Sequence, residues 1–469
     1  MSTVHFSRPG QGSLRLPAEM MDYIIDFLHE DKPSLSSCSL VARAFVASSQ
    51  SHLFRRLSCG WEEGLGHTYI APFFRKHTHL QVYVKGIHIA GLSERYSKPP
   101  GPSREICMCV IIEILSTFPR LCVFGLDELD IVWRECCSYP PTTQSFRPID
   151  IECLYLVDVN LPDPIIAVKY LKLFKNIQRL HIIDVYIFHY DYGLSDIGTM
   201  TNQGSTQLLS NWSPSLAQLA ITRDQGREEE MLEPFADLLA ARNTLRNIEE
   251  LDIVCRDSRD FFPAADITRA SNKGLKKLRI DVATALFENV SVDTEEEMLS
   301  VAIDPSEWKC LELSSFHSVQ SFETSVMLLL APLWESPVER FPNIQPGVQA
   351  FKYFLDFLSE VPRSIKYITI YLNLKWVGPT KYTEAVSQDY DWDRLITIIH
   401  SLPAIESVDL ILLTVYDFTP DVAAQCQKIV MDVLDRKNQG ERRVIRVLYE
   451  EGNHDEFSRA NIDYCTPHI

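Results

Sequence analysis

The sequence predicts an α/β fold in which a short N-terminal module of three helices precedes a long array of strand–helix units. Three observations lead to this prediction. Residues 14–58 carry an amphipathic helical pattern with helix-start signals, and an apolar–x–x–apolar–x–apolar pattern recurs through residues 80–469. Proline-bearing turns separate several helical stretches from the strands that follow them. We therefore expect two domains, 14–58 and 80–469.

Composition limits the classes of function. The chain has 469 residues, of which 46% are hydrophobic and 23% charged, as in ordinary globular proteins. Its formal net charge of −18 would repel phosphate backbones and anionic lipid, so nucleic acid and membrane are not expected partners. The first residues lack the apolar core of a secretory signal, and 12 cysteines occur without any Cys-x-x-Cys pair. Reduced thiols are typical of the cytoplasm or nucleus, where we expect the protein.

The first helix is predicted from residue 16 onwards. Pro17 suits the first helical position and Glu19 the first turn, where the helix dipole favours an anion. Three helices in about forty residues are too few to bury their own apolar surface. Met20 and Phe27 widen the stripe of the first helix further, so a partner or the following domain must cover it. The stripe itself consists of Met21, Ile24, Ile25 and Leu28.

Four segments of this module resemble an F-box, in the version found in large fungal families. They are Leu16-Pro17-x-Glu19, Ile24-Ile25-x-x-Leu28, Cys38-Ser39-Leu40-Val41-x-Arg43-x-Phe45 and His52-Leu53-Phe54-Arg55-Arg56-Leu57. The resemblance covers residues 16–58, and departs from the family at Ala44 and Phe45, where many members have a polar residue and tryptophan. It implies docking onto the Skp-type adaptor, and through it a cullin, of a cullin–RING ubiquitin ligase. The residues it places in or near that interface are Leu16, Pro17, Ile24, Leu28, Leu40, Val41 and Phe54. The alternative is an ordinary helical cap on a repeat domain.

The remaining chain is predicted to repeat. Strand then helix, roughly every thirty residues, is typical of a leucine-rich-repeat-like solenoid and resembles the divergent repeats that follow many F-boxes. The alternative is a loose pattern that buried strands produce by chance. Three polar stretches, Tyr186–Ser215, Cys255–Lys273 and Trp376–Asp391, are predicted insertions. The copies begin at Val84, Phe118, Ile151, Ile177, Leu216, Ile248, Leu275, Trp308, Ile365, Ile405 and Val444, with a degraded copy at Val338.

Residues between the buried positions of each strand should point outwards, because side chains alternate along a strand. They are mixed in size and charge, which favours a specific protein surface, so we expect them to bind an unknown target protein. These predicted target-binding residues are His181, Asp252, Arg279, Glu312, Thr369 and Asp409, with Ala220 in the same set.

No motif for catalysis was found. The chain lacks a Gly-x-Ser-x-Gly elbow, a phosphate-binding loop and a His-Glu-x-x-His pair. The best metal candidate has spacings that match no known zinc module, so neither metal nor other cofactor is expected. Together with the resemblance to an F-box, which implies a role in a ubiquitin ligase, this leads us to expect a non-catalytic substrate receptor. The rival interpretation is a repeat scaffold unconnected to ubiquitin, and an enzyme with an unrecognised site is a distant third. The metal candidate comprises Cys59, His67, His77, His79 and His88.

Overall fold

The structure is a computed structural model, and the described part of the chain forms two compact units. The first unit contains Met1–Pro102 and Val110–Phe124, and the second contains Ser103–Cys109 and Gly125–Ile469. Leu16 lies outside the described residues. Among those described, no helix is long and apolar enough to cross a membrane. The described residues are 17–60, 66–91, 104–134, 147–187, 215–222, 239, 244–283, 285, 307–330, 346–376, 390–415, 420–437 and 444–450.

The first unit begins with three helices, of which the third packs against both others. Asp31 caps the second helix by accepting a hydrogen bond from the Ser34 backbone N–H at 3.0 Å, and Pro33 lies in its first turn. A parallel strand pair and two further helices follow. The rings of Phe54 and Phe118 lie 6.0 Å and 4.9 Å from that of Phe74 and form the aromatic core of this unit. The elements are α1 (Ala18–Phe27), α2 (Lys32–Val41), α3 (Arg43–Arg55), β1 (Arg56–Gly60), α4 (Gly66–Lys76), α5 (Thr78–Gln81) and β2 (Gly86–Ala90).

The chain then passes between the units along three elements. These are β3 (Glu105–Cys107), α6 (Met108–Thr117) and β4 (Val123–Asp127). In the second unit, a small parallel sheet forms from β3 and three short strands. The short strands are β5 (Asp130–Val132), β7 (Asn160–Leu161) and β9 (Tyr186–Ile187).

In the described residues, the large sheet of the second unit includes nine parallel strands in chain order. Each strand pairs with the next one of the set, so every connection is a crossover. The strands are β6 (Ile149–Val157), β8 (Phe174–Ile183), β10 (Gln218–Thr222), β11 (Glu250–Val254), β12 (Lys277–Asp281), β13 (Ser321–Leu330), β14 (Tyr367–Trp376), β15 (Ser407–Val415) and β16 (Val444–Glu450). The crossovers contain α7 (Pro164–Leu171), α8 (Phe261–Ser271), α9 (Pro346–Ser359), α10 (Trp392–Ser401) and α11 (Pro420–Lys437). The predicted α/β class is therefore confirmed.

A residue with left-handed backbone follows each of the strands β4, β6 and β8, at the corner that leads into the small-sheet strands β5, β7 and β9. Glu128, Asp158 and Asp184 have φ of 52°, 46° and 50°. Short polar side chains tolerate this conformation better than β-branched ones do. At each corner the backbone N–H donates to the carbonyl at the end of the next strand of the large sheet. The Asp158 nitrogen, for example, lies 2.8 Å from the Ile183 oxygen. The same backbone geometry thus follows three successive strands.

The buried positions of the large sheet lie in register. Leu180, Leu251 and Leu278 occupy one row with Leu219, and each is at most 1% exposed. This confirms the prediction that the three leucines are equivalent core residues. Helices of the crossovers cover this side of the sheet; α9, for example, packs on β13. The apolar pattern therefore marks the covered face.

Several sequence predictions about the strand–helix repeats were wrong or lie outside the described residues. The copy at Trp308 is not a strand but two short 3₁₀ turns, Glu307–Leu311 and Leu313–Ser315. The strand in register is β13, where Phe322 pairs with Leu278 and the buried Thr324 takes the third apolar position. The stretch Cys255–Lys273 is not an insertion, because it contains α8 with a buried face.

The last copy was placed two residues too late. Val408 pairs with Ile445, whereas the sequence pattern had paired it with Val447. The degraded copy at Val338 lies outside the described residues, as do most of Tyr186–Ser215 and Trp376–Asp391.

Candidate protein-binding surfaces

Helix α1 turns its apolar side away from the helices that support it. The side of α1 that faces α3 has one buried apolar residue, Ile25, which is 1% exposed. Two carboxylates flank it and bond to α3. Asp22 accepts a hydrogen bond from Ser48, and Asp26 accepts one from His52 Nε2 at 2.8 Å. The opposite side of α1 carries large apolar side chains that are between 43% and 70% exposed. These are Met20, Tyr23, Ile24 and Phe27, and we call them the α1 apolar face.

This arrangement inverts the usual amphipathic helix, in which apolar residues face the core. Side chains three and four residues apart share a helix face, so the four residues form one continuous patch. The rings of Tyr23 and Phe27 meet edge to face, with centroids 4.8 Å apart. A patch of this kind is costly in water and is typical of a surface that a partner covers.

The other residues predicted at the adaptor interface occupy different environments. Leu40 and Val41, at the end of α2, are 84% and 77% exposed. Pro17 is exposed just before α1, and Leu28 is half-buried just after it. Phe54 is half-buried against Phe74. The α1 apolar face thus contains one residue predicted at the adaptor interface, Ile24. It also contains Met20 and Phe27, which the sequence analysis named only as apolar surface that a partner or the following domain must cover. Tyr23 was missed, although its spacing from Met20 and Phe27 was a usable signal.

The second candidate surface is the side of the large sheet opposite its leucine row. One residue from each strand forms a continuous register there, which we call the outer row. Six residues of the predicted target-binding set, Ala220 among them, lie in it, so they share one face of the sheet as the alternation argument expected. The outer row consists of Tyr155, His181, Ala220, Asp252, Arg279, Glu323, Thr369, Asp409 and Arg446.

Glu312 does not belong to this row. It sits between the two 3₁₀ turns with φ 48°, and its place in the register is taken by Glu323. The error follows from the misplaced copy at Trp308. His181 is in the row but is buried, stacked on the Tyr155 ring at 4.9 Å. Ala220 is buried too. The part of the row on β6 to β10 is therefore closed to a partner.

Charged residues of the outer face neutralise one another across neighbouring strands. Asp409 accepts two hydrogen bonds from Arg446, from Nε and Nη2, both at 2.7 Å. Lys277 Nζ lies 2.7 Å from Glu323. Such cross-strand pairs stabilise one register over its alternatives.

Arg279 is the most enclosed cation of this face. Its guanidinium is 3.5 Å from Asp252, and its Cζ lies 5.3 Å from the centre of the Tyr371 ring. Burial raises the pKa of the Asp252 carboxyl. The positive charge of Arg279 lowers this pKa, and the negative charges of Asp281 and Glu323 raise it. Burial disfavours the charge on Arg279, yet these carboxylates raise its pKa.

The accessible part of the outer face lies on the last three strands. Tyr367 and Leu448 are each 44% exposed, and Arg446 is also exposed. Thr369 and Asp409 are half-exposed between them. A phenol, an aliphatic side chain and a fixed guanidinium are a combination that protein interfaces favour.

All residues of the sequence-derived metal candidate belong to the first unit. In the part of the chain that the structure describes, no three His, Cys, Asp or Glu residues converge as metal ligands. Comparison with known proteins found no family model that matches this chain and no curated protein with significant sequence similarity.

Proposed function

We propose that this chain is a non-catalytic substrate receptor of a cullin–RING ubiquitin ligase. In this proposal α1, α2 and α3 are an F-box that docks onto the Skp-type adaptor, and the second unit holds a target protein. The observation that carries the proposal is the outward-facing apolar side of α1. A helix whose acidic side is hydrogen-bonded to its own module, and whose apolar side is exposed, is built to be covered by another protein.

The arrangement of the second unit supports the rest of the proposal. We infer that its strand–helix units are leucine-rich-repeat-like and stack as a solenoid. Consecutive parallel pairing with one residue per strand in each row is the arrangement that such repeats require. The left-handed corners repeat from unit to unit in the same way. Neighbouring repeats then bury each other's apolar sides, and the accessible part of the outer face is available for recognition.

For target binding we propose the accessible part of the outer face on β14 to β16. Its exposed groups are held by hydrogen bonds within the chain: Tyr367 donates to Glu406 at 2.8 Å, and Arg446 donates to Asp409. Fixed side chains lose little conformational entropy when a partner binds. The receptor then acts by positioning, because holding the target beside the ligase raises its effective concentration for ubiquitin transfer.

The decisive experiment measures adaptor binding by the full-length chain. The tagged protein and its Ile24→Asp/Phe27→Asp variant are each mixed with a recombinant Skp-type adaptor and cullin and recovered by affinity purification. We expect the adaptor and cullin to be recovered with the wild type only, since each aspartate places an unpaired charge in a desolvated contact. Phe262→Asp on α8 is the matched control, because Phe262 is comparably exposed at 61%. Equal recovery with wild type and double variant, or none with either, would favour the scaffold unconnected to ubiquitin.

A further inference from the structure

Helix α4 carries a second exposed aromatic face, in a part of the chain with an unusual charge. Between Arg43 and Ala90 the sequence has six Arg and Lys residues, and its only carboxylates are Glu62 and Glu63. The formal charge of this tract is therefore +6 − 2 = +4, in a chain whose total is −18. This part of the chain is therefore basic although the whole chain is acidic, which favours an anionic partner over a cationic one here.

The exposed side of α4 follows from helix geometry. Ile70, Ala71 and Phe74 are buried, and the opposite side holds Tyr69 and Phe73, which are 59% and 45% exposed. These two residues are four apart and therefore neighbours on one face. Pro72 and Lys76 are exposed at the same spacing, and the residues just beyond the helix, His77 and His79, are exposed as well. The ring of Phe73 lies 4.7 Å from that of His77, which extends the aromatic surface past the helix end.

The helix dipole accounts for only part of this pattern. Cations at a helix C-terminus stabilise it, and Arg75 and Lys76 lie there. Arg75 is also neutralised by Glu113 at 2.8 Å. Neither effect explains two large aromatic side chains in solvent next to Lys76. Aromatic rings beside a cation bind a ligand that offers both apolar contact and negative charge.

We propose that this surface, defined as Tyr69, Phe73, Lys76, His77 and His79, binds an acidic peptide segment that also carries an apolar side chain. The apolar side chain packs between Tyr69 and Phe73, and a carboxylate pairs with Lys76. On α4 the surface runs from Tyr69 to Lys76, about 10 Å along the helix axis, and His77 and His79 extend it, so it matches a few residues of extended peptide. A short segment of a partner protein therefore fits.

Charge favours a peptide over the other anionic partners. Nucleic acid binding draws its affinity from neutralising many phosphates, whereas this face offers one lysine and two histidines in a chain of net charge −18. A membrane surface would repel the same net charge. A short peptide carries few charges and needs few cations. The proposal does not depend on the F-box, since it uses neither α1 nor the outer face of the sheet.

The test selects peptides with the full-length chain. Displayed random peptides of about ten residues, long enough to cover the α4 face, are enriched at about 0.15 M salt. We expect the enriched sequences to contain several Asp or Glu and at least one aromatic or aliphatic residue. The strongest of them, labelled with fluorescein, is then titrated by fluorescence anisotropy. Enrichment without an acidic bias would overturn the proposal.

Variants locate the binding site. Tyr69→Ser/Phe73→Ser should weaken the labelled peptide at least about tenfold, and Lys76→Glu should weaken it with a loss that shrinks at high salt. Phe262→Ser and Lys273→Glu change equally exposed residues elsewhere and should leave the affinity unchanged. Thermal melts matching the wild type show that each variant folds. Unchanged affinity in the double variant would refute the assignment to α4.

Two further probes separate the partner classes. Single-stranded DNA of about twenty nucleotides and vesicles containing phosphatidylserine should bind more weakly than the peptide at the same salt. Tighter binding of either probe, lost in Tyr69→Ser/Phe73→Ser, would mean that the surface serves that class instead. The Ile24→Asp/Phe27→Asp variant should keep its peptide affinity. Failure of the adaptor experiment therefore leaves this result unaffected.

Discussion

If the α1 apolar face docks onto the adaptor as proposed, replacing Phe27 by alanine should weaken that binding by roughly two orders of magnitude. Phe27 is 70% exposed, the largest value on the α1 apolar face. An aromatic side chain offers about 200 Å², so about 140 Å² of it is free to be buried by a partner. At about 25 cal/mol per Å² the loss is about 3.5 kcal/mol. This corresponds to a Kd increased about 300-fold.

Isothermal titration calorimetry of the purified chain with a Skp-type adaptor measures this change. Phe27→Leu should recover most of the affinity, since it restores apolar contact without charge. Phe262→Ala is the matched control, because it removes a comparably exposed phenylalanine from α8. A change of less than about threefold for Phe27→Ala, or an equal loss in the control, would refute the reasoning from exposed area.

Three further predictions concern stability, each measured as the free energy of unfolding by denaturant titration. Truncating any of the row leucines should cost about 2–5 kcal/mol by leaving a cavity, in the variants Leu180→Ala, Leu251→Ala and Leu278→Ala. Met431→Ala is the control and should cost little, because Met431 is exposed. Near-neutral results for all three leucines would contradict the register. Gly274→Ala should cost about 1–3 kcal/mol, because its Cβ would lie 2.9 Å from the Arg246 carbonyl oxygen. Gly86→Ala is its control, with nearest atoms at 3.5 Å, and equal costs would contradict the close approach. Arg279→Met should destabilise the fold more at pH 7 than below pH 3.8, the ordinary pKa of Asp252. Burial raises the pKa of this carboxyl, so its ionised form, present at pH 7, is unfavourable in the fold once Arg279 no longer neutralises it. A pH-independent cost would show that Arg279 acts by packing alone.

The sequence predicted the strands of the second unit well, because their apolar positions alternate and face helices. It failed where the third apolar position is Thr324, a β-branched residue that fits a strand but does not count as apolar. It found Trp308 instead, which is buried in a 3₁₀ turn. A pattern of apolar spacing cannot distinguish these two cases, since both satisfy burial.

The orientation of α1 was harder to predict. Its sequence defines an apolar and an acidic side but not which one faces the module. That choice depends on Ser48 and His52, each 26 residues from its carboxylate partner and on another helix. The closed part of the outer row was likewise invisible, because alternation places His181 on a face without saying what covers it. The left-handed corners at Asp158 and Asp184 carry no signal beyond a polar residue after a strand.

The consecutive order of the strands bears on how the protein is made. In the described large sheet of the second unit, each strand pairs with the preceding strand of that sheet, so this hydrogen-bonding partner has always left the ribosome first. The sheet can therefore grow one strand at a time during synthesis, without waiting for a distant segment. Until the next strand arrives, the growing sheet ends in an open parallel edge, which is prone to pairing with other chains. A ribosome that pauses between β14 and β15 would leave the long β14 edge uncovered, so we expect slow codons in that interval to promote aggregation.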